Sequence, residues 1–307
     1  MSRRAGHRTL LALTILAWAT SWPVIKIGVA SVPPLWYACL RYAIATACLF
    51  TLLLARREAA LPRRADWPLV AVSGVFQMAA YSALTASALT ILPAGRASVL
   101  AFSTPIWVVP LSAWWLRERA SRRSLLGIAL GLVGVLAIAA PSLQVRAADQ
   151  VLAYAMLLGA AACWAICIVA VRAHRFAASA LALAPWQMLL AACLLLPVAI
   201  AVEGAPQAVT VTGAASLAYV GSIATAFAYW AVVESGRHFP ASTMSMALLA
   251  TPSLGILIST LVLRETVERH LLAGVLLVGV GIWLVTRDTR AGNSSQTCKE
   301  ASVATTH

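Results

Sequence analysis

Three ionisable side chains stand where this chain is otherwise apolar: Lys26 in "TSWPVIKIG", Arg41 in "YACLRYAIA" and Glu234 in "YWAVVESG". At the centre of a membrane helix each would cost about 2.5–3.5 kcal/mol on insertion scales, so every one is a functional candidate. Two readings are open for Arg41. Its guanidinium could hold the carboxylate of a small molecule by a bidentate pair, or it could tie helix ends together. Lys26 lies toward a helix end, where its four-carbon stem can reach the interface. Glu234 precedes Gly236-Arg237-His238, which fits a local ion pair; proton coupling is the sharper reading.

The aromatic residues offer a second kind of chemistry. Trp67, Trp114, Trp115 and Trp283 fall near the ends of apolar stretches and suit interfacial belts. Trp18, Trp107 and Trp164 fall well inside theirs. A small-molecule site is usually an apolar and aromatic pocket with a few polar groups. The residues expected around one are Trp18, Ser21, Trp22 and Arg41 in the first two stretches, and Tyr81, Ser103 and Trp107 in the next two. Trp164, Tyr229, Trp230 and Thr251 complete it from the second half. Packing against neighbours or lipid is the alternative for each aromatic ring. Pro105 and Pro252 must kink their helices, either as gating elements or as a fixed shape.

Other chemistries lack their parts. The five histidines, His7, His174, His238, His270 and His307, fall in loops or at ends, so an intramembrane enzyme has no base at depth. Cys163 and Cys167 share a helix face with no His or acid beside them, and read as packing residues, with no metal expected. No phosphate-binding loop is present and no cofactor is implied. A channel would need a charged ring or a carbonyl filter, and the sequence has neither.

These residues must be positioned by membrane helices. The chain is 61% hydrophobic and 11% charged, with a mean hydropathy of +0.86; soluble domains carry about 25% charged residues. About 20 apolar residues cross the hydrocarbon core. Ten stretches qualify: 9–30, 34–55, 67–90, 94–116, 124–141, 150–172, 181–203, 213–236, 240–263 and 270–287. The first of them resembles a signal peptide at its basic start, but its apolar run through Ile27 is longer than such a segment needs, and it reads as an uncleaved helix. The residues from 288 to 307 lack apolar periodicity and are expected to be a disordered cytoplasmic tail. The net charge of +13 could suggest nucleic acid. Its distribution excludes that reading: 17 Lys and Arg fall in alternate loops on one side, 4 on the other and 2 within helices. The positive-inside rule makes the richer side cytoplasmic and puts both termini there.

The chain also repeats itself. "TPIWVVPLSAWWLRERASRRSLLG" begins at Thr104 and "TPSLGILISTLVLRETVERHLLAG" begins at Thr251, 147 positions later. At that spacing Pro93-Ala94 pairs with Pro240-Ala241 and Gly134 with Gly281; one residue of shift upstream pairs Trp18 with Trp164 and Lys26 with Arg172. The second half has no counterpart of Arg41, for its aligned stretch reads Trp186-Gln187-Met188. Each half holds five expected helices, 9–141 and 150–287. An odd number inverts the second half relative to the first, an arrangement found in many transporters. Glycines of helices 5 and 10, among them Gly127, Gly131, Gly134, Gly274 and Gly281, permit close packing, within the chain or in a homodimer.

The order "LAWATSWPVIK", Pro33-Pro34, Arg41, Pro-Ala before Thr-Pro, Leu-Arg-Glu and a Gly-rich helix, present in two copies over about residues 9–287, resembles the EamA family of the drug/metabolite transporter superfamily. The resemblance implies an all-α polytopic inner-membrane carrier of ten helices around a central cavity, moving amino acids or other small metabolites, usually outward. Its expected partners are a small-molecule substrate, the lipid bilayer and, through Glu234, protons, with the protein a monomer or a homodimer. An uncoupled facilitator, an importer of a sugar, nucleoside or drug-like compound, and a non-transporting scaffold are the alternatives.

Overall fold

The structure is a computed structural model that describes residues 3–117, 121–144, 148–173, 178–206, 208–236, 238–239, 244, 248, 250–266 and 268–284. Among these, the regular elements are all helical. In chain order they are α1 (Arg3–Val29), α2 (Pro34–Ala55), α3 (Arg64–Ile91), α4 (Ala94–Trp115), α5 (Arg122–Gln144), α6 (Ala148–Ala173), α7 (Ala180–Glu203), α8 (Val211–Ser235), α9 (Ala250–Leu263) and α10 (Arg269–Leu284). Seven of them, α1 to α4 and α6 to α8, are long and apolar enough to cross a membrane, and α9 and α10 are shorter apolar helices. The protein is therefore a multi-pass membrane protein. Most of 240–249, the expected start of the ninth helix, lies outside the described residues, as do Pro240-Ala241, residues 285–287 and the tail.

Local chemistry sets the helix ends. Ser179 Oγ accepts from Ala182 N at 3.2 Å and Thr210 Oγ1 from Gly213 N at 3.1 Å, capping α7 and α8. Both Leu-Arg-Glu motifs stop a helix in one way: Arg117 after α4 and Arg264 after α9 each adopt a left-handed φ of 54°. In the second motif the acid reaches across to another helix. The Glu265 carboxylate accepts from Ala94 N at 2.6 Å and Gly95 N at 3.0 Å, joining the end of α9 to the start of α4. Glu203 does the same between α7 and α2, accepting from Leu35 N at 2.9 Å and Trp36 N at 3.0 Å. A carboxylate on the exposed amides of a helix start satisfies two orphan donors and meets the positive end of the dipole.

α2 packs along α7, α1 along α9, and α3 and α4 along α6. Two close approaches recur at the repeat spacing. α3 turns π-helical over Ser73–Ala80 and α8 over Tyr219–Phe227, and each segment contains a glycine against a neighbouring backbone. A Cβ on Gly74 would stand 3.0 Å from the carbonyl oxygen of Gln187 in α7; one on Gly221 would stand 3.1 Å from that of Arg41 in α2. The two glycines are 147 positions apart, and Arg41 and Gln187 are 146 apart. α5 and α10 also meet through glycines, with Gly134 placed so that a Cβ would lie 2.8 Å from the Gly274 oxygen. That part of the glycine stripe is used inside the chain.

α4 is broken in the middle. Its two segments, Ala94–Ala101 and Thr104–Trp115, meet at Phe102-Ser103. Pro105 supplies no N–H, and the hydroxyls of Ser103 and Thr104 donate to the carbonyls of Leu100 at 2.6 Å and Ala101 at 3.1 Å. The Thr104 hydroxyl thus satisfies the Ala101 oxygen that the proline leaves free, and the Leu100 oxygen accepts from both Ser103 N and Ser103 Oγ. At the equivalent place in α9, Pro252 follows Thr251, which is fully buried and whose hydroxyl has no hydrogen-bond partner among the described residues.

Candidate functional site

At the end of the bundle where α3 and α7 begin and α6 and α8 finish, a cleft of about 310 Å³ opens between the four helices. Arg56, Arg57, Arg63, Arg64 and Arg172 belong to the helix ends and connection at this end, so it is called the basic end. α3 lines the cleft with Leu69, Ser73 and Gln77, four residues apart and so on one helix face. α6 contributes Cys167, Ile168, Val171 and Arg172; α7 contributes Ala180, Leu183 and Gln187; α8 contributes Tyr229. Cys167 donates to Gln77 Oε1 at 3.0 Å and lies 3.2 Å from Ser73 Oγ. Arg172 Nη1 donates to Ser112 Oγ of α4 at 3.2 Å. Gln187 is only 4% exposed, and its side-chain amide makes no hydrogen bond among the described residues; nor does the Tyr229 hydroxyl.

The α3 stripe continues one turn deeper to Tyr81, and the α6 face continues from Ile168 to Trp164. Their rings meet edge-on with centroids 4.8 Å apart. This pair lies one turn beyond the lining residues Gln77 and Ile168, and such an arrangement is worth about 0.5–1.5 kcal/mol beyond buried area.

The repeat maps this cleft onto a second surface, between α8, α1, α2 and α3 at the far end, and that surface is shut. Leu69 and Leu183 correspond to Ser216 and Tyr37. Ser216 Oγ donates to the Val24 carbonyl at 2.7 Å, so the Tyr37 hydroxyl, 2.7 Å away, donates to Ser216; both side chains are buried. Gln77 corresponds to Ala224, whose carbonyl accepts from Trp18 Nε1 at 3.1 Å. Gln187 corresponds to Arg41, whose Nε donates to Thr225 Oγ1 at 2.9 Å and whose guanidinium lies 5.1 Å from the centroid of the Tyr42 ring. Tyr229 corresponds to Ser82, 2.8 Å from the Tyr42 hydroxyl. Lys26 corresponds to Arg172, and its ammonium donates to the carbonyls of Leu89 at 2.9 Å and Leu92 at 2.8 Å. That contact caps the end of α3, a use for its charge that the chain alone does not reveal.

The structure does not bring the residues expected around one pocket together. Tyr229 lines the cleft, and the Tyr81–Trp164 pair lies one turn beyond its lining. Trp18, Ser21 and Arg41 belong to the shut surface, Ser21 donating to the Trp18 carbonyl at 2.7 Å. Trp22 is buried beside Phe102 at 6.3 Å; Ser103 and half-buried Trp107 lie at the α4 break beside Pro105, and Thr251 precedes Pro252 at the described start of α9. Trp230 points away from the cleft toward Arg56, whose guanidinium carbon lies 5.7 Å from its ring centroid. Glu234 is also outside the cleft: its Oε1 lies 4.0 Å from His238 Nδ1, and His238 stacks on His7 at 3.6 Å.

The comparisons agree with this architecture. The model of the EamA-like transporter family matches the chain twice, over residues 8–140 and 151–287. An uncharacterized transporter of Bacillus subtilis (strain 168), YoaV, is 24% identical over 278 residues, 90% of this chain and 95% of that one. A probable amino-acid metabolite efflux pump of Salmonella typhimurium is 28% identical over 299 residues, 92% and 95% of the two chains. A probable terminal-alkyne amino-acid exporter of Streptantibioticus cattleyicolor is 26% identical over 281 residues, 91% and 93%. One crystal structure superposes with a TM-score of 0.65 at 22% identity, covering 93% of this chain and 99% of its own, and shares the fold. With both halves of its sequence matched, the chain belongs to the EamA-like transporter family.

Proposed function

We propose that the protein is a secondary carrier of the bacterial inner membrane that exports amino acids or related small metabolites by alternating access. Its ten helices form two inverted halves, and both termini and the basic end face the cytoplasm. The observation that carries the reading is the contrast between an open cleft at one end and its sealed, repeat-equivalent surface at the other. A carrier of this construction holds its solute between the halves and exposes it to one side at a time. A volume of about 310 Å³ is at the small end of ligand sites, about 300–1,000 Å³, and suits a metabolite of amino-acid size. Solute enters from the cytoplasm, passes the Tyr81–Trp164 pair, and reaches Arg41, which binds its carboxylate when the far end opens. The relatives named as amino-acid efflux pumps and exporters support the substrate class and the direction.

Uncoupled facilitation is a second reading, favoured by the position of Glu234. The one acid considered for proton coupling sits beside His238 and outside the cleft. Uptake of radiolabelled amino acids, sugars and nucleosides into proteoliposomes, with and without a pH gradient, decides both points. The expected result is transport of amino acids that Trp164→Ala abolishes and a pH gradient leaves unchanged. A pH response lost in Glu234→Gln would establish coupling, and transport of none of the panel by folded protein would overturn the carrier reading.

A further inference from the structure

The electrostatics of the cleft are one-sided. Of the described residues lining it, Arg172 alone is charged, and no Asp or Glu is among them. The neutral groups lean the same way. The Cys167 thiol occupies Gln77 Oε1, leaving that amide its N–H2 group, and the Tyr229 hydroxyl and Gln187 amide face the cleft without partners among the described residues. Gln187 is the strongest sign of a ligand. Its side chain is 4% exposed and lines the cavity with the amide unpaired among the described residues, so a solute that enters meets a donor no protein group has taken. Gln187 also occupies the repeat position of Arg41, so each half offers a donor at one register.

We propose that the cleft recognises its solute by a carboxylate held by Gln77, Gln187 and Tyr229 in the field of Arg172, and leaves the amine unread. Organic monocarboxylates that lack an amino group are then ligands of the same site as amino acids. An ammonium group finds no counter-charge there, and at membrane depth an uncompensated cation is costly. The inference rests on the carrier reading for its biological meaning, but binding tests it separately.

The test is ligand binding to purified wild-type protein, by calorimetry and by thermal stabilisation. The ligands are leucine, 4-methylpentanoate, 3-methylbutylamine and leucinamide, with phenylalanine, 3-phenylpropanoate and 2-phenylethylamine as a larger set. Within a set, the acid without an amine should bind within about threefold of the amino acid, and the amine and amide about 100-fold more weakly, as expected for loss of charge-assisted hydrogen bonds. Gln187→Glu keeps the shape and reverses the local charge. It should weaken the acids about tenfold and let the amines bind. Amines binding as well as amino acids, acids without amines failing where amino acids bind, or no acid of either set binding at millimolar concentration would overturn the proposal. If acids bind in detergent and none crosses a membrane in proteoliposomes, the carrier reading fails while the carboxylate site stands.

Discussion

The cleft at the basic end and the shut surface at the far end are built from equivalent positions, yet one gapes and the other is bonded closed. Leu69 and Leu183 share a small apolar cluster beside the cleft. At their equivalents, Tyr37 and Ser216 form a buried hydrogen-bond chain to the Val24 carbonyl. The backbone scaffold is common to both: a π-helical segment with a glycine against the neighbouring carbonyl, at Gly74 with Gln187 and at Gly221 with Arg41. The difference teaches that one backbone scaffold serves both surfaces, and that the side chains it carries leave one open and bond the other closed. Hydrogen bonds hold the far end at Tyr37 and Ser216; at the basic end the equivalent residues, Leu183 and Leu69, meet by van der Waals contact alone, and the weak thiol bond from Cys167 to Gln77 joins only α6 to α3. Both end-to-end carboxylate contacts, Glu203 on α2 and Glu265 on α4, reinforce the far end as well, for each joins the finish of a second-half helix to the start of a first-half one.

The shared scaffold can be broken most severely. Gly74→Val and Gly221→Val each force a branched side chain against a backbone oxygen, and overpacking of this kind costs about 1–3 kcal/mol or more. Both should lower the melting temperature and the yield of folded protein to a similar extent; a large loss from one and none from the other would show that the two contacts are not equivalent. Glu203→Gln and Glu265→Gln remove the charge from a helix-start contact and should each cost about 1 kcal/mol in thermal stability. Unequal losses would separate the two carboxylates. Tyr37→Phe deletes one bond of the seal, worth about 1 kcal/mol, or about a fivefold shift toward a far-open state, and Ser216→Ala deletes both and should shift it further. The cleft should close in proportion, seen as slower alkylation of Cys167 by a small thiol reagent. The smallest effect is expected outside the comparison, at the Arg96–Glu268 ion pair of 2.6 Å, where Glu268 is 43% exposed. Arg96→Gln should change stability by less than about 1 kcal/mol and leave Cys167 alkylation unaltered.

Composition was enough to read a helical membrane protein, because continuous apolar runs separated by arginines have no soluble solution. The repeat was legible through residues that punctuate helices, Thr-Pro and Leu-Arg-Glu, whose side chains and backbones impose recognisable turns. The π-helical segments were not, since residues per turn vary there without any change in apolar content; Gly74 and Gly221, 147 apart, were the available signal. Of the expected pocket, Tyr229 lines the cleft, and Tyr81 and Trp164 pack on each other one turn deeper. Gln77 and Gln187 carry no such signal, since an uncharged amide costs less in an apolar helix than an arginine and does not by itself demand a functional site. Trp18 and Arg41 were read as facing a pocket, and their hydrogen bonds to Ala224 and Thr225 of α8 depend on a contact between halves about 180 to 210 positions apart, which no local pattern specifies.

The central claim is that transport requires the far surface to open. Cysteines placed at Tyr37 and Ser216, bridged by a short reducible bis-methanethiosulfonate in proteoliposomes, test it directly, with each single cysteine as control. The account predicts that bridging stops amino-acid uptake while ligand still binds in the cleft, and that a reductant restores uptake. Uptake continuing at the unbridged rate with the far end tied shut would contradict it.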